Sequence, residues 1–154
     1  MNIQRYSASD CMETAQLFFD TVRTVNAKDY TKAQTDAWAP KSIDFAKWNE
    51  SLLKNYALTA KTGGKIVGFS DMDSGGYLDR LYVHKDFQNM GIASALVRAL
   101  EENAAKSGVF EFETYASITA KPFFKKMGYI VQRKNEVVKN GVLLINFHMK
   151  KLIK

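Results

Sequence analysis

Gln88-Asn89-Met90-Gly91-Ile92-Ala93 stands between an apolar stretch ending at Val83 and the strongest helical periodicity in the chain. That periodicity covers residues 91–107 and sets Ile92, Ala95, Leu96, Ala99 and Leu100 on one face. Gly91 and Ala93 keep the backbone approachable, and Asn89 tolerates a left-handed conformation. The first-turn amides of the helix would then point outward, as a pyrophosphate requires, with the Ser94 hydroxyl as a further donor. A plain strand-to-helix turn, in which Gly91 only relieves crowding, is the competing reading. The apolar strand before the turn, the long helix after it and the lack of any acidic residue within it favour an anion site. The three-glycine dinucleotide pattern and the Gly-Lys-Ser/Thr of a nucleotide loop are absent.

Outward from this turn, residues 77–83 and 109–116 read as strands, and one helix between two strands makes a parallel crossover. Residues 56–60 and 65–70 read as a hairpin around Thr62-Gly63-Gly64, with Ser74-Gly75-Gly76 as the next turn. A short helix over 119–127 is closed by Gly128, and Asn140-Gly141 joins strands 129–138 and 142–149. Upstream, residues 2–6 alternate like a strand. Asp10 and Glu13 have capping-box spacing for a helix whose inner face is Ala15, Phe18, Phe19 and Val22. Thr31 with Gln34 starts a second helix that breaks at Pro40, and Ser42 is the expected cap of a third carrying Phe45, Trp48 and Leu52.

The 154 residues suit a single domain over 1–154. The N-terminus has no apolar stretch of signal-peptide length, and the longest aliphatic run, residues 142–145, cannot cross a bilayer. Cys11, the only cysteine, has no partner for a disulfide or a metal site. A cytoplasmic protein without membrane contact or bound metal is therefore expected. The net charge of +6 favours anionic partners. A basic stripe with interleaved aromatics, zinc spacing and an arginine-rich arm are all missing, so nucleic acid is not the expected partner.

The turn resembles the phosphate motif of the GNAT superfamily of acyl-CoA N-acyltransferases, Gln/Arg-x-x-Gly-x-Gly/Ala. Leu81-Tyr82-Val83 resembles the family's strand end before the motif. Ala120-Lys-Pro-Phe123-Phe124-Lys-Lys-Met-Gly128-Tyr129 resembles its Ala-x-x-Phe-Tyr-x-x-x-Gly-Phe segment. The resemblance implies an α/β (α+β) fold, a mixed central sheet of about seven strands flanked by helices. It also implies acetyl-CoA as co-substrate. Leu81, Tyr82 and Val83 would pair with the pantetheine arm, the amides from Gln88 through Asn89, Met90, Gly91, Ile92 and Ala93 to Ser94 would hold the pyrophosphate, and Ser117 would stand where a family Asn contacts the cofactor. Ser117 also suits a helix cap, and the two roles are compatible.

Phe124 occupies the cofactor-side position at which the family carries a Tyr general acid, so the expected phenol is missing. A departing CoA thiolate resembles that of Cys, whose pKa is roughly 8.5, and protonation helps without being obligatory. Tyr115 or a water is the substitute acid, and a purely structural Tyr115 is the competing reading. An attacking alkylamine, with a pKa of roughly 10.4, must lose a proton. The family's Glu base falls at Tyr77, and Asp79, two residues on and hence on the same strand face, is the candidate base or else an ion-pair partner of Arg80. Lys85 stands where a Pro is common. His84 reads as a solvated loop residue, and His148 as a residue that lines the cleft or does not. Among Tyr30, Trp38, Phe45 and Trp48, expected mostly in the core, Trp38 is the candidate for the acceptor cleft, with Tyr77 beside it.

The implied activity is direct acetyl transfer to a primary amine of a small molecule, peptide or protein. The alternatives are a non-catalytic acyl-CoA sensor and, behind it, a basic nucleic-acid-binding domain. Neither the acceptor nor the oligomeric state is read from the sequence, and a homodimer is compatible with it.

Overall fold

The computed structural model describes residues 1–153. Its strands are β1 (Asn2–Arg5), β2 (Tyr56–Thr62), β3 (Lys65–Met72), β4 (Tyr77–Val83), β5 (Glu111–Ser117), β6 (Ile130–Lys139) and β7 (Val142–Leu152). Its helices are α1 (Cys11–Thr24), α2 (Lys32–Trp38), α3 (Phe45–Lys54), α4 (Ile92–Lys106) and α5 (Lys121–Lys126). The strands form one seven-stranded sheet in the order β1-β2-β3-β4-β5-β7-β6. Every neighbouring pair is antiparallel except β4 and β5, the parallel pair bridged by α4.

Local chemistry sets most of these elements. Asn140 and Gly141 both take positive φ, 50° and 78°, which turns β6 into β7 without splaying them. Thr31 Oγ1 accepts from the Gln34 amide at 3.2 Å while Gln34 Oε1 accepts from the Thr31 amide at 2.9 Å, and α2 starts there.

Two expected caps are corrected. The Asp10 carboxylate reaches back to the Ser7 amide at 3.0 Å and across to Lys61 at 3.1 Å. Glu13 turns to the Ile66 amide on β3 at 2.7 Å, so neither acid caps α1 as its spacing suggests. Asp44, not Ser42, caps α3 by accepting from the Lys47 amide at 3.1 Å. Phe45 is consequently exposed rather than in the core, and Phe19 is half-buried under the Arg23 guanidinium.

Each face of the sheet carries its own core. On one side Leu96, Val97 and Leu100 of α4 pack on Val67, Leu78, Phe112 and Met149. Leu96 and Leu100 are fully buried, each contributing about 1.5–3 kcal/mol. On the other side Leu17, Phe18 and Val22 of α1 and Leu52 of α3 cover Ala57, Ile66 and Phe69. Gly68 lets α4 press onto β3, since a Cβ there would lie 3.0 Å from Ile92 Cγ2 and 3.3 Å from Leu96 Cδ1. This contact seats the start of α4 beside the end of β4.

The sheet splits where the parallel pair ends. β4 and β5 are in register only at Tyr77 with Glu113 and Leu78 with Thr114, and Thr114 Oγ1 donates to the Leu78 carbonyl at 2.9 Å at the fork. Beyond it, the His84 amide donates to the Val67 carbonyl at 2.8 Å, across the Gly68–Val83 pair. That pattern marks a non-hydrogen-bonded pair, so Val83, and Leu81 two residues before it, turn their N–H and C=O groups away from β3 into the gap.

Candidate active site

The gap between the diverging β4 and β5 is a cleft of about 510 Å³. It is lined by Leu81 and Val83, by Gln88, Asn89, Gly91, Ile92, Ala93 and Ser94, and by Ser117 and Phe124. The loop geometry follows from its residues. Asn89 and Gly91 adopt φ of 60° and 81°, and this left-handed pair turns the chain so that α4 begins at Ile92. Nothing lies within 4 Å of a Cβ built on Gly91, so the space over the loop is open. The first turn of α4 has no side-chain cap and no acidic residue, which leaves its N–H donors and positive dipole end facing the cleft.

Three features of this cleft were not foreseen. The Gln88 side-chain amide folds back to donate to the Val83 carbonyl, so the Val83 N–H is left as that residue's free group in the gap. Met90, expected among the loop's cofactor contacts, lines neither this cleft nor its neighbour and is 66% exposed. Thr21 of α1 lines the cleft, is buried, and its Oγ1 has no hydrogen-bond partner. Thr14 and Thr24 of the same helix bond the carbonyls of Asp10 and Asp20 four residues back, at 2.9 and 2.7 Å, so Thr21 is the exception among them.

A second cavity of about 360 Å³ adjoins the first on the α1–α2 side of the sheet. Trp38, Asp79, Tyr82, Tyr115 and Ser117 line both, which places them at the junction. Tyr77 lines the second alone. Asp79 lines the same cavity as Tyr77, as the two-residue spacing suggests, although β3 residues Asp71 and Met72 pair with Arg80 and Leu78 and Asp79 is the extra residue of a bulge.

The acid–base environment is uneven. Asp71 is fully buried and binds the Arg80 guanidinium at 2.7 and 3.1 Å, and Arg80 also donates to Ser51 at 2.6 Å. Asp79 meets Arg80 only at 3.5 Å and keeps 40% of its side chain accessible. Its carboxyl is raised above the ordinary aspartate range, first by desolvation and next by the Asp71 charge. Burial, with help from Asp79, pushes the Tyr77 phenol up to about 12. Tyr115 lies between rings, stacked on His148 at 4.8 Å and edge-on to Tyr77 at 6.2 Å, while His148 Nε2 is 2.8 Å from Glu113. His148 thus supports the cleft from behind Tyr115 and does not line it. His84 lies outside both cavities, where its Nδ1 accepts from the Asp86 amide at 3.0 Å.

Phe124 is 2% exposed and packs edge-on against Tyr129 at 5.1 Å. Ser117 Oγ accepts from the Ala120 amide at 3.0 Å, which closes the turn before α5 without capping the helix itself, whose N-cap is Ala120, and it stands 3.5 Å from Asn26 Nδ2. Tyr30 is structural: its hydroxyl donates to the Ile145 carbonyl at 2.7 Å and accepts from the Ile118 amide at 2.9 Å. Among the described residues no cluster of His, Cys, Asp and Glu is placed to hold a metal ion, and no helix is long and apolar enough to cross a membrane.

A sheet forked beside a helix N-terminus is the arrangement of a known enzyme class. The profile of the acetyltransferase (GNAT) domain matches residues 26–152. The uncharacterized N-acetyltransferase YafP of Escherichia coli (strain K12) is 31% identical over 150 residues, 97% of this chain and 95% of its own. A crystal structure of a GCN5-related N-acetyltransferase from Rhodopseudomonas palustris superposes with a TM-score of 0.95 at 33% identity, covering 99% of this chain and 95% of that one. PaiA N-acetyltransferase from Thermoplasma acidophilum, solved in complex with coenzyme A, shares the fold at a TM-score of 0.79 and 18% identity, over 99% and 100% of the two chains. The chain belongs to the GNAT acetyltransferase family and is an N-acetyltransferase. Neither a non-catalytic sensor nor a nucleic-acid-binding domain is needed to account for it.

Proposed function

We propose that the larger cleft binds acetyl-CoA, that the smaller cavity binds a primary amine, and that the acetyl group crosses directly between them at the Asp79–Tyr115 junction. The observation that carries this reading is the fork itself. It leaves the Leu81 peptide groups and the Val83 N–H unpaired in the gap and ends beside the open first turn of α4. An extended amide-bearing arm suits those peptide groups, and a pyrophosphate suits the helix N-terminus.

Acetyl-CoA supplies an activated acetyl thioester. Leu81 and Val83 hold its arm, and the Val83 N–H, left free by Gln88, is the donor for the carbonyl oxygen as it gains charge. Asp79 takes the proton of the attacking amine. The new C–N bond replaces the C–S bond, and Tyr115 returns a proton to the departing sulfur, Phe124 having none to give. The desolvation that raises Asp79 makes it a better proton acceptor than an exposed carboxylate.

Calorimetric titration with acetyl-CoA, followed by detection of free CoA thiol on adding amines, tests both halves. Binding with amine-dependent thiol release is expected. Absence of binding would remove the assignment of the larger cleft, and binding without release from any amine would remove the assignment of the smaller one.

A further inference from the structure

We propose that the acceptor is a small primary amine carried on a flat, apolar body. The inference rests on the reading of the smaller cavity as the acceptor site, and four observations of that cavity carry it.

Its volume of about 360 Å³ lies at the low end of small-molecule sites. Much of its wall is aromatic, with Arg80, Ser117, Lys139 and Asn146 completing it: Trp38 lies edge-on to Tyr30 at 5.2 Å, and Tyr77 edge-on to Tyr115 at 6.2 Å, with Tyr82 between Trp38 at 6.5 Å and Phe18 at 5.0 Å. Such a lining takes a planar apolar group by stacking and an ammonium by its ring faces.

Charge around the cavity narrows the class further. Asp79 is its lining carboxylate, whereas Arg80 is already neutralised by Asp71 at 2.7 Å. One amine can therefore be met at the junction with the larger cleft. A second ammonium would find no carboxylate among the lining residues and would meet the Lys139 cation instead. This disfavours polyamines.

The side walls are also tied to each other. Gln34 Nε2 donates to the Leu143 carbonyl at 3.0 Å, Asn140 Nδ2 to the Ala37 carbonyl at 2.8 Å and the Tyr30 hydroxyl to the Ile145 carbonyl at 2.7 Å. Tyr30 and Ile145 line the cavity, and together the three bonds fasten the α2 region to the β6–β7 hairpin beside it, which favours a compact acceptor over one that must part the two.

The test compares phenethylamine and tryptamine with hexylamine, spermidine and an N-terminally blocked lysyl peptide, in two arms. In the first, kcat/KM is read from acetyl-CoA-dependent thiol release. In the second, calorimetry measures amine binding to the protein saturated with CoA. The aromatic amines are expected to exceed spermidine and the peptide in kcat/KM by at least about tenfold. Tyr77→Leu should raise KM for phenethylamine several-fold more than KM for hexylamine, with acetyl-CoA affinity retained because Tyr77 does not line the larger cleft. A better rate with spermidine or the peptide would overturn the aromatic class and leave the transferase assignment standing. Preferential binding of phenethylamine without turnover of any amine would support the class and count against the assigned chemistry. An aromatic amine that neither binds nor reacts would overturn the class outright.

Discussion

The two cavities that meet at Asp79 are made of different material. The larger offers backbone as its distinctive feature: the peptide groups of Leu81, the Val83 N–H, a left-handed turn at Asn89 and Gly91, and the first turn of α4. The smaller is built of side chains drawn from α1, α2, α3, β4, β5 and the β6–β7 hairpin. Peptide groups are the same in every sequence, so a backbone site tolerates change wherever conformation is kept. A side-chain site changes with each substitution. One surface is suited to a constant ligand, and the other to a ligand that differs among relatives.

That contrast can be broken most forcefully at the shared wall. Asp79→Asn is expected to lower kcat/KM by about 10²–10⁴-fold while acetyl-CoA affinity is retained. Loss of affinity in a calorimetric titration would mean that Asp79 belongs to the larger cleft. On the backbone side, Gly91→Val introduces no clash but forces a β-branched residue to a φ of 81°. About 1–2 kcal/mol of strain should appear as a lower unfolding midpoint and as a roughly tenfold or smaller rise in KM for acetyl-CoA, with KM for the amine unchanged.

Thr21→Val is a finer probe, because it changes only a side chain in the wall of the larger cleft. Because the hydroxyl oxygen is itself occluded from the cleft, the acetyl-CoA dissociation constant should change by less than about twofold. The ligand-free protein should be as stable as before or more so, since the lost hydroxyl had no partner. A stability loss in the free protein would show that the hydroxyl is satisfied internally. The mildest effect concerns pH. Because burial holds the Asp79 proton to a higher pH than usual, the base form is lost on acidification while an ordinary aspartate, with a pKa of about 3.9, would still be ionised. The acid limb of kcat/KM should therefore lie above that value, and a limb at or below it would free Asp79 from the role.

The same contrast explains what the sequence disclosed. The order of elements and the mixed sheet follow from periodicity and turn chemistry, and the turn at Gln88 to Ala93 is legible because its small residues are contiguous. Trp38, Asp79 and Tyr115 stand out only with the family pattern in hand, since the fold brings them together from far apart. The bulge at Asp79 leaves no mark in the alternation of apolar residues. The unpartnered state of Thr21 likewise depends on a hydrogen bond that α1 fails to make, and Thr14 and Thr24 look no different in sequence. Asp10 and Glu13 mislead as a capping pair because each finds a stronger partner outside the helix.

The fork at Leu78 and Thr114 has a mechanical meaning as well. Two registered pairs and one threonine hydroxyl are the seam between a four-stranded and a three-stranded half-sheet. A molecule lying in the gap along Leu81 and Val83 would act as a splint across that seam, stiffening the joint on which Asp79 and Tyr115 are carried from opposite sides. Loading the donor would then bring the two halves of the reaction machinery into fixed alignment, and its departure would let the joint relax.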